Sequence, residues 1–188
     1  MPMDLNMRLE PNPDSNNGGN RSNSYTRLLG ELQFLANATW PDIAYAVNRL
    51  AVYSANPTLQ HVGALKRILR YLAGARNYGI TYQKSQDSKG IPFHGYSDTA
   101  YRNTDDCKST SGYVYVSGGG AITWRSKKQT TVALSSTEAE YVALLEAGRE
   151  ACWLRNLYEE LGQKQSCPTI IKGDNDGSIA MTKKPTVS

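Results

Sequence analysis

Three apolar stripes at helical spacing run through residues 25–76. Tyr25, Leu28, Leu29, Leu32 and Leu35 recur at intervals of three and four, which places them on one helical face. Thr39-Trp40-Pro41-Asp42 interrupts the pattern, and Pro41 suits the first turn of a new helix. Ile43, Ala46, Val47 and Leu50 form the second stripe. After a break at Asn56-Pro57-Thr58, a third stripe of Val62, Leu65, Ile68, Leu69 and Leu72 ends at Gly74. The pattern predicts a helical subdomain small enough to need a neighbour. Residues 1–24 are rich in Asn, Pro, Ser and Gly. They predict a disordered leader, with order beginning near Tyr25.

The period then changes. Ile80-Thr81-Tyr82 is a short strand candidate, and residues 85–90 read as a polar linker. Residues 93–98 read as a strand ending in Asp98. Residues 112–116 and 121–125 are β-rich runs joined by Ser117-Gly118-Gly119-Gly120, a hairpin signal. No helix and no Lys-Ser/Thr follow the glycines, so they read as a turn rather than a phosphate loop. A long helix is predicted over residues 137–161. Ser135 and Thr137 each stand three residues before a glutamate, so two overlapping capping boxes are possible, and Gly162 is a suitable stop. Residues 169–173 form a short buried strand followed by Asp174, and Ser178-Ile179-Ala180-Met181 starts a last helix.

Composition narrows the class. A chain of 188 residues, 39% hydrophobic and 20% charged, is ordinary for a globular protein. No apolar run approaches the roughly eighteen residues of a membrane helix, so no membrane partner is expected. Cys107, Cys152 and Cys167 are odd in number and widely spaced, and His61 and His94 lie far apart. Neither a disulfide framework nor a zinc site is expected, and a reducing compartment is the default.

The charge of +4 is unevenly placed. Residues 91–188 carry 11 basic and 11 acidic side chains, whereas residues 1–90 carry 10 and 6. Within 60–90, Lys66, Arg67, Arg70, Arg76, Lys84 and Lys89 face a single acid, Asp87. Such a stretch suits a phosphate backbone, though charge alone does not separate that from a solvated helix face.

Three acids stand out by position. Asp98 and Asp174 each end an apolar strand, and their strands could be neighbours. Glu140 heads a stripe at 140, 144, 147, 151, 154, 158 and 161 that is expected to face the sheet. A charge there is costly unless it is paired or binds a metal. Three converging carboxylates suit Mg²⁺ or Mn²⁺, and two such ions about 4 Å apart form a phosphodiester-hydrolysing clamp. Each acid has an ordinary alternative. Asp98 could be a strand-end turn residue, Asp174-Asn175-Asp176-Gly177 a plain turn, and Glu140 or Glu138 a partner of the helix cap. Together, in this order of strands and helix, the site reading outweighs them.

Several motifs carry a family resemblance. Tyr96-Ser97-Asp98, the run 105–113 (Asp-Asp-Cys-Lys-Ser-Thr-Ser-Gly-Tyr), the run 136–144 (Ser-Thr-Glu-Ala-Glu-Tyr-Val-Ala-Leu) and Asp174-Asn175 resemble the ribonuclease H domain of copia-type LTR-retrotransposon Pol polyproteins. Upstream, residues 25–30 with Leu35, then 41–47, then 65–72, resemble the segment that connects the reverse transcriptase to that domain. The resemblance covers about residues 25–182.

The resemblance implies an α/β fold: a ribonuclease H-like mixed sheet flanked by helices, preceded by a small helical connection subdomain. It implies a leader at 1–24, a connection segment at 25–84 and the ribonuclease H-like domain at 85–188. The implied activity is endonucleolytic hydrolysis of the RNA strand of RNA–DNA hybrids. Asp98, Glu140 and Asp174 would hold two Mg²⁺ or Mn²⁺ ions, with water attacking the phosphate in line. Glu140 takes this role rather than Glu138 because it matches the family's Ala-Glu-aromatic position. The implied partners are the hybrid and the upstream reverse transcriptase core. The implied location is intracellular, either cytoplasmic in a virus-like particle or nuclear. Ser109, Thr110 and Ser111 are candidates to touch the hybrid, although a β-edge role suits them equally. Lys66, Arg67 and Arg70 are candidates for its backbone, as are Arg125, Lys127 and Lys128.

The chain also departs from the family. Its pattern continues beyond Ser188 with a His-containing motif and a fourth metal-site Asp, and Tyr101-Arg102-Asn103-Thr104 replaces a Trp-containing sequence. Reduced metal binding and weak or absent cleavage are therefore expected. The alternative function is a non-catalytic nucleic-acid-binding or structural remnant of a Pol polyprotein.

Overall fold

A computed structural model of the chain describes residues 1–4, 7, 9–13, 19–84 and 92–183. They fall into two units, Met1–Gly79 and Ile80–Ser188. The division lies before the 84/85 boundary read from the sequence, for a visible reason. Gln83 N–H donates to Gly118 O at 2.7 Å, and the Tyr82 hydroxyl donates to Ala121 O at 2.7 Å. These contacts tie residues 80–83 to the second unit. The stretch Ile80-Thr81-Tyr82 is therefore an extended segment laid on a hairpin, not a strand of the sheet. The expected linker at 85–90 and the last five residues, 184–188, lie outside the described residues.

The first unit contains α1 (Gly19–Ala38), a 3-10 turn at Pro41–Ile43, α2 (Ala44–Ala51) and α3 (Leu59–Gly74). Its core takes Tyr25, Leu29 and Leu32 from the first stripe, Ile43, Ala46, Val47 and Leu50 from the second, and Leu65 and Ile68 from the third. Leu69 is exposed instead. His61 and Ala64 complete that buried face. His61 also begins α3: Thr58 caps its backbone, Thr58 N–H donates back to Nδ1 at 2.9 Å, and the ring stacks on Tyr53 at 4.1 Å.

The leader reading needs correction where the structure describes it. α1 begins at Gly19, ahead of Tyr25. Met3 and Leu9 are buried in the helical core, and Tyr53 donates its hydroxyl proton to Leu9 O at 2.8 Å. Two isolated apolar side chains and one backbone acceptor anchor a stretch whose average composition is polar.

The second unit is mixed α/β, consistent with a ribonuclease H-like fold. β1 (Phe93–Ala100), β2 (Thr110–Ser117), β3 (Gly120–Lys128) and β4 (Ile171–Lys172) form one sheet in the order β3-β2-β1-β4. The first two pairings are antiparallel and β1–β4 is parallel. Helix α4 (Ser136–Glu160) packs on one face, and α5 (Asp176–Lys183) packs against α4. The β2–β3 turn holds Gly118 and Gly119 at φ of 56° and 81°, which is why glycine stands there.

α4 meets the sheet through Ala139, Ala143, Ala147, Ala151 and Leu154. The expected stripe shares Ala147, Ala151 and Leu154 with this face, and Leu161 at its end is exposed. At 3.6 residues per turn, Glu140 lies seven residues before Ala147 and so only about 20° from it around the helix. Glu140 therefore stands at the head of that face, partly buried. Small alanines let the helix come close enough for the fully buried Tyr115 to donate to Ala147 O at 2.6 Å. The Tyr115 ring crosses Gly95, where an added Cβ would lie 2.5 Å from Tyr115 Cε1. Gly95→Ala is expected to lose about 1–3 kcal/mol by overpacking. The check is a lower urea midpoint with an unchanged slope; an unchanged midpoint would refute the close approach.

Candidate metal centre

The ladder between β1 and β4 pairs Gly95 with Ile171 and Tyr96 with Lys172. Carried two residues further, that parallel register sets Asp98 opposite Asp174. Side chains alternate along a strand, so Asp98 shares a face with Tyr96, and both are exposed while Ser97 between them is buried. Asp98 Oδ1 accepts from Thr99 N–H at 2.7 Å, which fixes the carboxylate beside the strand.

Glu140 arrives from α4. Ser135 caps the helix by accepting from Glu138 N–H at 3.1 Å, and the Glu138 carboxylate turns back to accept from Leu134 N–H at 2.7 Å. One cap forms where two were possible, and it uses Glu138. Two donors hold the next turn. Thr99 Oγ1 donates to Ala139 O at 3.2 Å, and Gln129 Nε2 donates to the same oxygen at 2.9 Å. Gln129 also donates to Ser111 Oγ at 2.9 Å. The peptide just before Glu140 is thereby pinned to β1, to β2 and to the end of β3. In the run 174–177, Asn175 caps α5 by accepting from Ser178 N–H at 2.8 Å. This leaves Asp174 to face the other acids.

The structure brings Asp98, Glu140 and Asp174 together, with one carboxylate oxygen from each within 4.8 Å of the others. Glu140 is the least exposed of the three. Burial, then the charges of Asp98 and Asp174, push its carboxyl up to about 7, partly offset by Thr99 N–H. None of the ion pairs among the described residues reaches these acids. An all-carboxylate cluster with uncompensated charge fits one or more hard divalent cations. Mg²⁺ and Mn²⁺ both satisfy that donor set.

The other predicted residues fall elsewhere. Ser109, Thr110 and Ser111 are buried, which corrects their reading as contacts for a hybrid. Ser109 Oγ accepts from Arg102 N–H at 3.1 Å, Thr110 Oγ1 donates to Asn103 Oδ1 at 2.9 Å, and Ser111 Oγ receives Gln129. They brace the β1–β2 loop and the sheet. Lys66, Arg67 and Arg70 are exposed on α3, in the first unit. Arg125 is exposed on β3, whereas Lys128 is engaged with Asp106 at 2.7 Å. Hydrogen bonds from Lys128 and Thr104 hold the Asp106 carboxyl well below the usual range.

The sequence reading passed over Thr99, Gln129, Arg102 and Lys172. Lys172 carried a usable signal, since it stands two residues before Asp174 on one strand and so shares its face. Gln129 carried none, because its role depends on where α4 lands.

No protein-family model matches the chain. Over 162 residues it is 44% identical to the retrovirus-related Pol polyprotein from transposon RE1 of Arabidopsis thaliana, covering 86% of this chain and 11% of that polyprotein. Over 180 residues it is 35% identical to the corresponding polyprotein from transposon TNT 1-94 of Nicotiana tabacum, covering 95% and 13%. Over 131 residues it is 44% identical to the secreted RxLR effector protein 161 of Plasmopara viticola, covering 69% of this chain and 90% of that protein. The chain thus spans about a tenth of the length of the transposon polyproteins it matches.

The raised Glu140 carboxyl has a thermodynamic consequence. Its ordinary value is 4.5, and in the folded, metal-free chain it is about 7. Between those values the folded state holds the proton more tightly than the unfolded state. Stability should therefore fall as pH rises from about 5 to about 8. In metal-free buffer, Glu140→Gln is expected to raise the melting temperature at pH 8 and to flatten its pH dependence. Equal pH slopes for the two chains would contradict the repulsion.

Proposed function

We propose that this chain, which belongs to the family formed by the retrovirus-related Pol polyproteins of copia-type transposons and the effector protein that shares its sequence, is a ribonuclease H-type domain hydrolysing the RNA strand of RNA–DNA hybrids. The observation that carries the reading is the three-acid cluster at the ends of two parallel strands and the head of one helix, with its carboxylate oxygens within 4.8 Å. The fold supports it, and so do the Pol polyprotein relatives.

Asp98, Glu140 and Asp174 would hold the cations. Divalent ions at such a centre activate water and stabilise the charge on the leaving oxygen. The chain's own contribution is placement. Asp98 and Asp174 come from adjacent strands at one level, so their spacing is set by the sheet. Glu140 closes the set from α4, whose second turn is fixed by Thr99 and Gln129. A carboxyl near 7 also makes Glu140 sensitive to its occupant, because a neighbouring cation favours the ionised form. Loading should therefore release a proton from Glu140 near neutral pH and weaken at lower pH.

The test is cleavage of a labelled RNA–DNA hybrid with Mg²⁺ and, separately, Mn²⁺. Weak metal-dependent cutting is expected, reduced on the order of 100-fold or more in Asp98→Asn, since loss of several kcal/mol of charge stabilisation corresponds to at least that factor. No cutting by a chain shown to be folded would overturn the nuclease reading.

A second reading, nucleic-acid binding without cleavage, is favoured by the exposed cations Lys66, Arg67 and Arg70 on α3. Under it, a Lys66→Glu, Arg70→Glu double variant should bind the hybrid more weakly and show a shallower salt dependence. Unchanged affinity would dismiss this reading.

A further inference from the structure

Two cations lie over tyrosine rings among the described residues: Lys172 of β4 over Tyr96 of β1 before the acids, and Arg102 over Tyr101 in the turn that follows β1. Before the acids, the Lys172 ammonium stands 5.2 Å from the centroid of the Tyr96 ring. Tyr96 and Lys172 are partners across the β1–β4 ladder, two residues before Asp98 and Asp174 on their strands. They are roughly 7 Å away along the same face, at about 3.3 Å per residue. Tyr96 and Lys172 are both exposed. His94 packs its ring edge-on against Tyr96, with centroids 5.4 Å apart.

Beyond the acids, the Arg102 guanidinium carbon stands 5.2 Å from the centroid of the Tyr101 ring. Tyr101 follows Asp98 by three residues, in the turn that ends β1. This pair is held by two hydrogen bonds. The Tyr101 hydroxyl donates to Leu134 O at 3.2 Å, next to the Ser135 cap of the helix that bears Glu140. Arg102 N–H donates to the fully buried Ser109 Oγ at 3.1 Å. Arg102 also adopts a φ of 45°, unusual for a side chain of its size. Arg102 and Lys172 are exposed, and no carboxylate among the described residues forms an ion pair with either.

We infer that these two pairs are phosphate subsites: a nucleic-acid strand lies along β1, Lys172 and Arg102 take phosphates on opposite sides of the one held at the acids, and Tyr96 and Tyr101 fix where the cations point. The inference rests on the nuclease reading and adds the path of the strand. An aromatic face restricts a long cationic side chain without neutralising it, so less order is lost when a phosphate binds. The two subsites also differ in chemistry. Arg102 presents a planar fork that can bind a phosphate bidentately, whereas Lys172 presents a point charge.

The experiment separates this from the nuclease reading by measuring binding without cleavage. Anisotropy of a labelled RNA–DNA hybrid is followed on the full-length Asp98→Asn chain over a series of NaCl concentrations. Arg102→Gln and Lys172→Gln are added to that chain singly and together. Lys164→Gln is the control, since Lys164 pairs with Glu159 at the far end of α4. Each subsite variant is expected to weaken binding several-fold and to lower the slope of log K against log salt by about 0.7–0.9, with roughly twice that for the pair. The control should not move. Parental affinity and slope in all the subsite variants would overturn the strand path, whether or not the wild-type chain cleaves. Equal weakening in the control would overturn it too, by reducing the effect to net charge. Hybrid cleavage by the wild-type chain reports separately on the nuclease reading.

Discussion

The chemistry of this molecule depends on a parallel ladder only two residues long. β1 and β4 pair through Gly95–Ile171 and Tyr96–Lys172, and that register alone sets Asp174 level with Asp98. A slip of one residue would turn Asp174 to the opposite face of the sheet. So short a ladder does not hold its register unaided. Arg155 of α4 supplies support, donating to Cys167 O at 2.8 Å, to Thr169 Oγ1 at 3.1 Å and to Gln165 O at 2.9 Å. One guanidinium thus fastens the incoming loop to the helix that also carries Glu140, so that the second and third acids are referred to a common frame.

That frame must hold three like charges within a few ångströms, and nothing in the acids themselves favours it. The opposing stabilisation comes from apolar and hydrogen-bonded contacts on the other side of α4. Its alanine face lets the helix lie close to the sheet, and Tyr115 spans the gap to Ala147 O. The peptide at Ala139 receives two side-chain donors, Thr99 and Gln129. These contacts are remote from solvent and insensitive to pH, whereas the repulsion between the acids is removed by a proton or a cation. The site is therefore the part of the unit whose energy responds to solution conditions, set on a scaffold that does not respond.

How much of this was legible in the sequence depends on whether the information was local. The helices of the first unit followed from their stripes, and the hairpin followed from Gly118 and Gly119, because both signals are contained in a few adjacent residues. Asp98, Glu140 and Asp174 were recognisable because each sits at the end or head of an element, where a charge inside a packed unit needs a reason. What failed was long-range. Met3 and Leu9 look like incidental apolar residues in a polar stretch until the helical core they enter is present. Ser109, Thr110 and Ser111 look like a polar surface run, but Arg102 N–H, Asn103 and Gln129 draw them inside.

Charge balance was the least informative property of all. Residues 91–188 sum to zero, which suggests a domain indifferent to polyanions. The structure segregates those charges instead. Three acids converge at one point, and Lys172 and Arg102 stand over tyrosines before and after it, with no ion pair among the described residues. All lie within about one to two Debye lengths at physiological salt, so an approaching phosphate strand feels both signs. Without a divalent cation, attraction at the two flanks is opposed by repulsion at the centre. With one, the opposition at the centre is removed and the flanks act together. If a strand takes the proposed path, metal and strand would bind cooperatively, each raising the affinity of the other by the same factor, as linkage requires. On this view selectivity for a loaded site is built into the spacing of charges along one strand, and it needs no moving part.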